Sequence, residues 1–144
     1  MQEDPFNLNR FLEAQADDYA RALAELRAGQ KQSHWIWYVL PQLRGLGSSS
    51  MATFYGIGSA QEARAYLTHP VLGQRLRECV ATMNALDGLS AAQVLGQVDA
   101  AKFRSCLTLF QFVDPTNATF RAALDKYFAG VPDEKSRAML DELP

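Results

Sequence analysis

The sequence predicts an all-α protein, a single compact domain of about six to eight helices. Three observations carry that prediction. Apolar residues recur at i, i+3, i+4 and i+7 over long stretches; two Ser-x-x-Glu/Gln strings, Ser59-Ala60-Gln61-Glu62 and Ser90-Ala91-Ala92-Gln93, have the form of capping boxes; and Gly29, Asp87-Gly88, Asp114-Pro115 and Gly130 punctuate the apolar runs as helix stops.

In chain order, Leu8, Phe11, Leu12, Gln15, Tyr19, Ala22, Leu23 and Leu26 form the stripe of a first helix closed by Gly29. Ser33 is a candidate cap for a second segment, His34 to Leu40, ended by Pro41; its β-branched and aromatic residues fit a strand nearly as well. Gly45-Leu46-Gly47-Ser48-Ser49-Ser50 reads as a loop, with Ser50 as cap for a short apolar turn from Met51 to Tyr55. The Ser59 box, with Glu62 as its acid, starts a helix to about Leu67, and Pro70 opens another on Val71, Leu72, Leu76, Cys79, Val80, Met83 and Leu86. The Ser90 box starts a short segment before Gly96, and Asp99 is expected to cap a helix to about Val113. Two more helices are expected near 117–129 and 133–142. The chain shows no repeat, low-complexity stretch or linker, so one domain is expected over residues 1–144.

Composition excludes several classes of function. With 48% hydrophobic and 21% charged residues the chain is too apolar for a disordered inhibitor. Its mean hydropathy of −0.17 and lack of a long apolar run argue against a membrane partner. The acidic start, Glu3-Asp4, is unlike a secretory leader, and two cysteines make no disulfide framework, so a reduced, cytoplasmic setting is expected. Cys79 and Cys106 both fall on apolar helix faces and read as buried structural thiols.

Charge is unevenly spread. Residues 26–77 hold Arg27, Lys31, Arg44, Arg64, Arg75 and Arg77 against Glu62 alone, a net +5, while the two flanks are acidic. That segment suits a small anionic molecule, or its cations simply solvate a surface. An isoelectric point of about 5.6 argues against nucleic acid.

Both tryptophans and one of the two histidines stand within four residues, His34-Trp35-Ile36-Trp37, between Lys31-Gln32-Ser33 and Pro41-Gln42-Leu43-Arg44-Gly45-Leu46-Gly47. Flat rings beside an imidazole and flanking cations form a stacking surface for a ligand; the competing reading puts the rings in the core. On the first reading His34 is the acid or base, because an imidazole titrates near neutral pH. Lys31 and Arg44 then hold an anion with Ser33 and the amides of Gly45 and Gly47, Trp35 or Trp37 stacks, and Gln42 lies beside them. The glycine–serine loop lacks the lysine of a Walker loop and the third glycine of a dinucleotide fingerprint, so no cofactor is indicated. Gln15 places an amide on an apolar stripe, where it either bonds the backbone of the aromatic segment or orients a ligand. Asp99 and Lys102, three apart, pair at a helix start or reach the same pocket. Neither histidine has a carboxylate or cysteine at ligand spacing, and no metal site is expected; His69, before Pro70, is expected to bond the end of the preceding helix.

The strings Gly29-x-Lys31-x-Ser33-His34-Trp35-x-Trp37, Pro41-Gln42-Leu43-x-Gly45-Leu46-Gly47, Glu62-Ala63-x-Ala65-Tyr66-Leu67-x-His69-Pro70 and Asp99-x-x-Lys102-Phe103-x-Ser105-Cys106-Leu107-Thr108-Leu109-Phe110 resemble the bacterial domain-of-unknown-function 1810 family over nearly the whole chain. The resemblance implies a compact helical fold and brings no settled activity. Members sometimes carry the label calpastatin, which implies a disordered inhibitor and conflicts with this composition. Cys106 stands where family members often have serine, removing a hydroxyl. A looser similarity, carried by the glutamine-bearing first helix, the tryptophan segments and the late lysine helix, is to proteins proposed to act on ADP-ribose derivatives. The reading that follows is binding, or hydrolytic processing, of a small phosphorylated or nucleotide-like ligand. The alternative is a non-catalytic module whose aromatic surface docks a partner helix or a second copy of the chain; a concave polar-edged pocket favours the first, a flat apolar patch the second.

Overall fold

The helix that organises the molecule is the one with the longest continuous buried run among the described residues. Gln97–Val113 buries Phe103 and every residue from Ser105 to Phe110, the pattern of a helix surrounded on all sides. Its two hydroxyls are absorbed internally: Ser105 Oγ donates to the Ala101 carbonyl at 3.2 Å and Thr108 Oγ1 to that of Arg104 at 2.8 Å. A computed structural model, which describes residues 3–142, shows what surrounds it.

Among the described residues there are nine helices: α1 (Asn9–Arg27), α2 (Ile36–Val39), α3 (Ser50–Tyr55), α4 (Ala60–Thr68), α5 (Leu72–Ala85), α6 (Ala91–Leu95), α7 (Gln97–Val113), α8 (Ala118–Phe128) and α9 (Glu134–Glu142). That is one more than the expected upper number, because the turn at Met51 is itself a helix. Helices α4, α6, α8 and α9 lie against α7, and α5 joins α1, α4 and α8. Among the described residues the one extended pairing is an isolated parallel bridge between Leu43 and Ile57, and none of them forms a strand. One core of α1, α2, α4, α5, α7 and α8 side chains runs through the molecule, with Trp35, Tyr66, Phe11, Phe103, Phe110 and Phe120 its largest buried members.

Helix starts follow the sequence in part. The Ser90–Gln93 capping box is complete. Ser59 Oγ accepts from the Glu62 amide at 3.0 Å, but the expected return bond from Glu62 to Ser59 is not made. Glu62 is instead buried against Arg10, Nη2 to Oε2 2.7 Å, and its Oε1 accepts from the Gly58 amide at 3.0 Å; a full charge 52 residues away outcompetes a neutral amide next door. Ser49, not Ser50, caps α3. Gly96 precedes α7, so Asp99 lies inside its first turn rather than capping it. The His69 amide closes the preceding helix, as expected, by donating to the Ala65 carbonyl at 3.0 Å, and its Nδ1 accepts from the amides of Val71 (3.1 Å) and Leu72 (3.2 Å), capping the following one as well.

The weakest sequence element is also the most altered. Only Ile36–Val39 is helical, with Trp35 and Leu40 both outside helical geometry. Ser33 does not cap it, because the helix begins only at Ile36 with Trp35 in the cap position, and the Ser33 hydroxyl donates instead to Glu25 Oε2 at 2.6 Å.

Candidate functional site

The segment with both tryptophans is fastened to α1 by two side chains. Glu25, in the last turn of α1, accepts from the amides of Gln32 (2.8 Å) and Ser33 (2.9 Å) and from Trp35 Nε1 (2.9 Å), besides the Ser33 hydroxyl. Burial alone would raise the pKa of this carboxyl, but the donors from Ser33, Gln32 and Trp35 outweigh it and hold the pKa down at about 2. Gln15, 1% exposed, is the second fastener. Its Nε2 donates to the Tyr38 carbonyl at 2.7 Å and to the Tyr66 hydroxyl at 3.1 Å, and its Oε1 accepts from Arg75 Nη1 at 3.2 Å. The amide therefore serves the backbone of the aromatic segment. Tyr38 adds a third tie by donating its hydroxyl to Asp18; burial and that acid push its phenol pKa upward.

These ties carry Trp35 into the core. At 1% exposure its ring has no open face, and Lys31 Nζ sits 5.0 Å from the ring centroid. Lys31 is itself engaged, 2.9 Å from Asp99 Oδ2 with both side chains largely buried, and it donates to the Ser33 carbonyl. Neither Lys31 nor Trp35 is available to an incoming ligand.

Two residues further on the arrangement repeats with its bonds left open. Trp37 is half-buried, and its Nε1 is enclosed with no acceptor among the described residues. Lys102 Nζ sits 5.2 Å from the Trp37 ring centroid, while its distance to Asp99 Oδ1, 3.7 Å, is beyond a hydrogen bond. Trp37, Gln42 and Lys102 line one crevice with Ile36, Leu40, Ala52, Tyr55 and Gly56. The crevice is partly open and its volume is about 10 Å³, room for about one water molecule. Lys31, Asp99 and Lys102 thus form a chain of two cations and one acid ending at the crevice, a local excess of one positive charge.

The remaining candidates lie elsewhere. Arg44 is on the far side of Gly56, where Nε donates to the Thr53 carbonyl (3.2 Å) and Nη2 to that of Gly56 (3.1 Å), closing the C-terminal end of α3. Gly45, at φ +102°, sits against the Met139 side chain, and Gly47 lies between Ala52 and the Gln42 amide. His34 is exposed and lines no part of the crevice. Cys79 and Cys106 are buried and free; burial pushes the Cys79 thiol up to about 12 and raises Cys106 as well. Among the described residues no three His, Cys, Asp or Glu side chains gather in a way that would hold a metal.

The positive balance of residues 26–77 thereby receives a structural account. Arg77 Nη1 donates to the Leu67 carbonyl at the end of α4 (3.2 Å), Arg44 serves the end of α3, Arg75 lies over the Tyr19 ring at 4.7 Å and Lys31 pairs with Asp99. Cations at helix C-termini complement the helix dipole. Sequence reasoning missed Glu25 and Arg10. Only Glu25 left a trace in the sequence, since an acid in the last turn of a helix opposes the dipole and calls for another partner.

An all-α single domain with a small crevice edged by an indole and an ammonium is the class of protein that the fold and site define. The chain belongs to the family described as "Protein of unknown function (DUF1810)", which matches residues 5–140. It is similar in structure to the conserved hypothetical protein Rv1873 from Mycobacterium tuberculosis, with 48% sequence identity, a TM-score of 0.95 and coverage of 96% of this chain and 99% of that one. No curated protein matches the chain. Neither description supports the calpastatin label.

Proposed function

We propose that the protein binds a small phosphorylated, nucleotide-like ligand through Trp37, Gln42 and Lys102. One observation carries the reading: Trp37, whose enclosed indole N–H has no acceptor among the described residues, and Lys102, whose ammonium stands 3.7 Å from Asp99 without a hydrogen bond to it, line one crevice. A buried donor left unpaired costs about 1–3 kcal/mol, and a phosphate oxygen satisfies both donors while offsetting the excess charge of the Lys31–Asp99–Lys102 chain. The aromatic wall of Trp37 and Tyr55 suits a ligand that also carries a ring. No histidine or carboxylate lines the crevice, so the geometry supports binding and gives hydrolysis by His34 no support.

The interaction-module alternative receives less. The most exposed large apolar residues, Val98 (71%), Phe54 (54%) and Val131 (52%), stand on α7, on α3 and after α8, and single exposed apolar residues are ordinary. Among the described residues no helix is long and apolar enough to cross a membrane, and the free buried thiols suit a reduced, cytoplasmic setting.

The test is a thermal-shift and tryptophan-fluorescence titration with ADP, ADP-ribose and inorganic phosphate on the intact chain and on Lys102→Ala. A ligand at about 100 times its Kd adds about 2.7 kcal/mol of stability, and Lys102→Ala should weaken affinity about tenfold or more through the lost charge-assisted bond. Flat titrations with all three probes at millimolar concentration would remove the reading.

A further inference from the structure

The charge that the crevice offers to an anion is set from outside it. Among the residues that line it Lys102 alone is charged, and Lys102 does not act alone. Asp99, on the first turn of the same helix, holds Oδ1 3.7 Å from the Lys102 ammonium and Oδ2 2.9 Å from that of Lys31. These side chains are 23% exposed for Lys102, 18% for Asp99 and 7% for Lys31, so water and salt screen them weakly. Lys31 cannot turn toward a ligand. Its amide donates to the Val94 carbonyl at 2.7 Å and its ammonium to the Ser33 carbonyl, beside the buried Trp35 ring. It acts on the crevice through the acid that it shares with Lys102.

Three charges in a row leave a net excess of one positive charge. A group with a single negative charge, such as a phosphodiester, is fully offset by that excess. A terminal phosphate monoester carries about −1.5 to −2 at neutral pH and leaves charge uncompensated in a part-buried place, which is costly. The Asp99 carboxylate repels that additional charge directly.

We infer that Asp99, backed by Lys31, is the specificity-determining residue of the crevice, setting it for singly charged phosphodiester groups over terminal phosphate monoesters. The presence of an anion rests on the ligand reading above; the selectivity rests on the row of charges. If Asp99 served only to complement the N-terminal dipole of α7, substitution of Lys31 would leave selectivity untouched.

The test is a tryptophan-fluorescence titration at low salt with AMP and 3′,5′-cyclic AMP, which share base and ribose and differ in phosphate charge. The row's excess is zero in Lys31→Met, one in the wild type and two in Asp99→Asn, and the double variant Lys31→Met with Asp99→Asn restores it to one. The wild type should favour cyclic AMP. Affinity for AMP relative to cyclic AMP should rise about fivefold at each added charge, and the double variant should return to the wild-type ratio. Asp99→Asn leaves Lys31 buried without its acid; if that variant fails to fold, the other three still span the first step, since exchanging a buried ion pair for neutral side chains is commonly tolerated. A wild-type preference for AMP, one ratio shared by all variants, or a double variant that departs from the wild-type ratio overturns the role of Asp99 and leaves the ligand reading standing. No response of the wild type or any variant to either nucleotide overturns both.

Discussion

Trp35 and Trp37 stand two residues apart, each with a lysine about 5 Å from its ring and both lysines near the same aspartate, yet their surroundings differ in one respect. Around Trp35 every donor has an acceptor: the indole has Glu25 and Lys31 has Asp99. Around Trp37 the indole N–H has none and Lys102 stands beyond hydrogen-bond reach of Asp99. Identical residue types thus serve the fold in one place and stay open in the other. The difference teaches where to look for function: at the point where the protein stops satisfying its own polar groups.

The largest effect that can break this comparison is on stability. Trp35→Ala should cost about 3–5 kcal/mol in urea unfolding, as truncation of a buried large ring does, whereas Trp37→Ala should cost about 1–2 kcal/mol because its ring is half-exposed already. Equal losses would mean that both rings are core and that the comparison has no content.

Next comes Glu25. Its carboxyl is held near a pKa of 2, below the ordinary 4.5, so its contribution to stability is complete above about pH 4.5 and is lost as the pH falls toward 2. Glu25→Gln should lose about 1–2 kcal/mol at neutral pH, partial exposure keeping the value modest. It should also flatten the acid side of the stability profile. A variant that keeps the wild-type pH dependence would show that Glu25 is not the fastener of the tryptophan segment.

The smallest stability change sharpens the other side. Lys102→Ala should shift unfolding by no more than about 1 kcal/mol, as for a part-exposed cation whose acid, Asp99, stands 3.7 Å away, while abolishing most response to phosphate-bearing probes. A large destabilisation would place Lys102 among the structural cations with Lys31.

Much of the fold was legible in the sequence because it rests on local physics. The α1 stripe, the Ser90 box and the glycine stops need only neighbours a few residues away. What was not legible depends on partners remote in sequence. Ser59-x-x-Glu62 has the spacing of a capping box, but nothing local announces that Arg10 will take the glutamate. The count of cations in residues 26–77 was correct, yet it could not show that Arg44 and Arg77 face helix C-terminal carbonyls. The candidate site was half legible for the same reason. Trp37 and Gln42, legible in the tryptophan segment, and Lys102, legible three residues after Asp99, share a crevice; Trp35, Lys31 and Arg44 are as legible and are occupied elsewhere. Which of two neighbouring indoles stays open is decided by Glu25, an acid whose position at a helix end shows that it needs a partner but not which one.

The most direct test of that claim is the pair of indole N–H signals in a proton–nitrogen correlation spectrum, assigned with Trp37→Phe and followed as ADP or inorganic phosphate is added. The Trp37 signal should move downfield as its N–H gains an acceptor, in proportion to saturation, while the Trp35 signal, already bonded to Glu25, stays in place. Two stationary signals, or a Trp35 signal that moves as far as that of Trp37, would contradict the account.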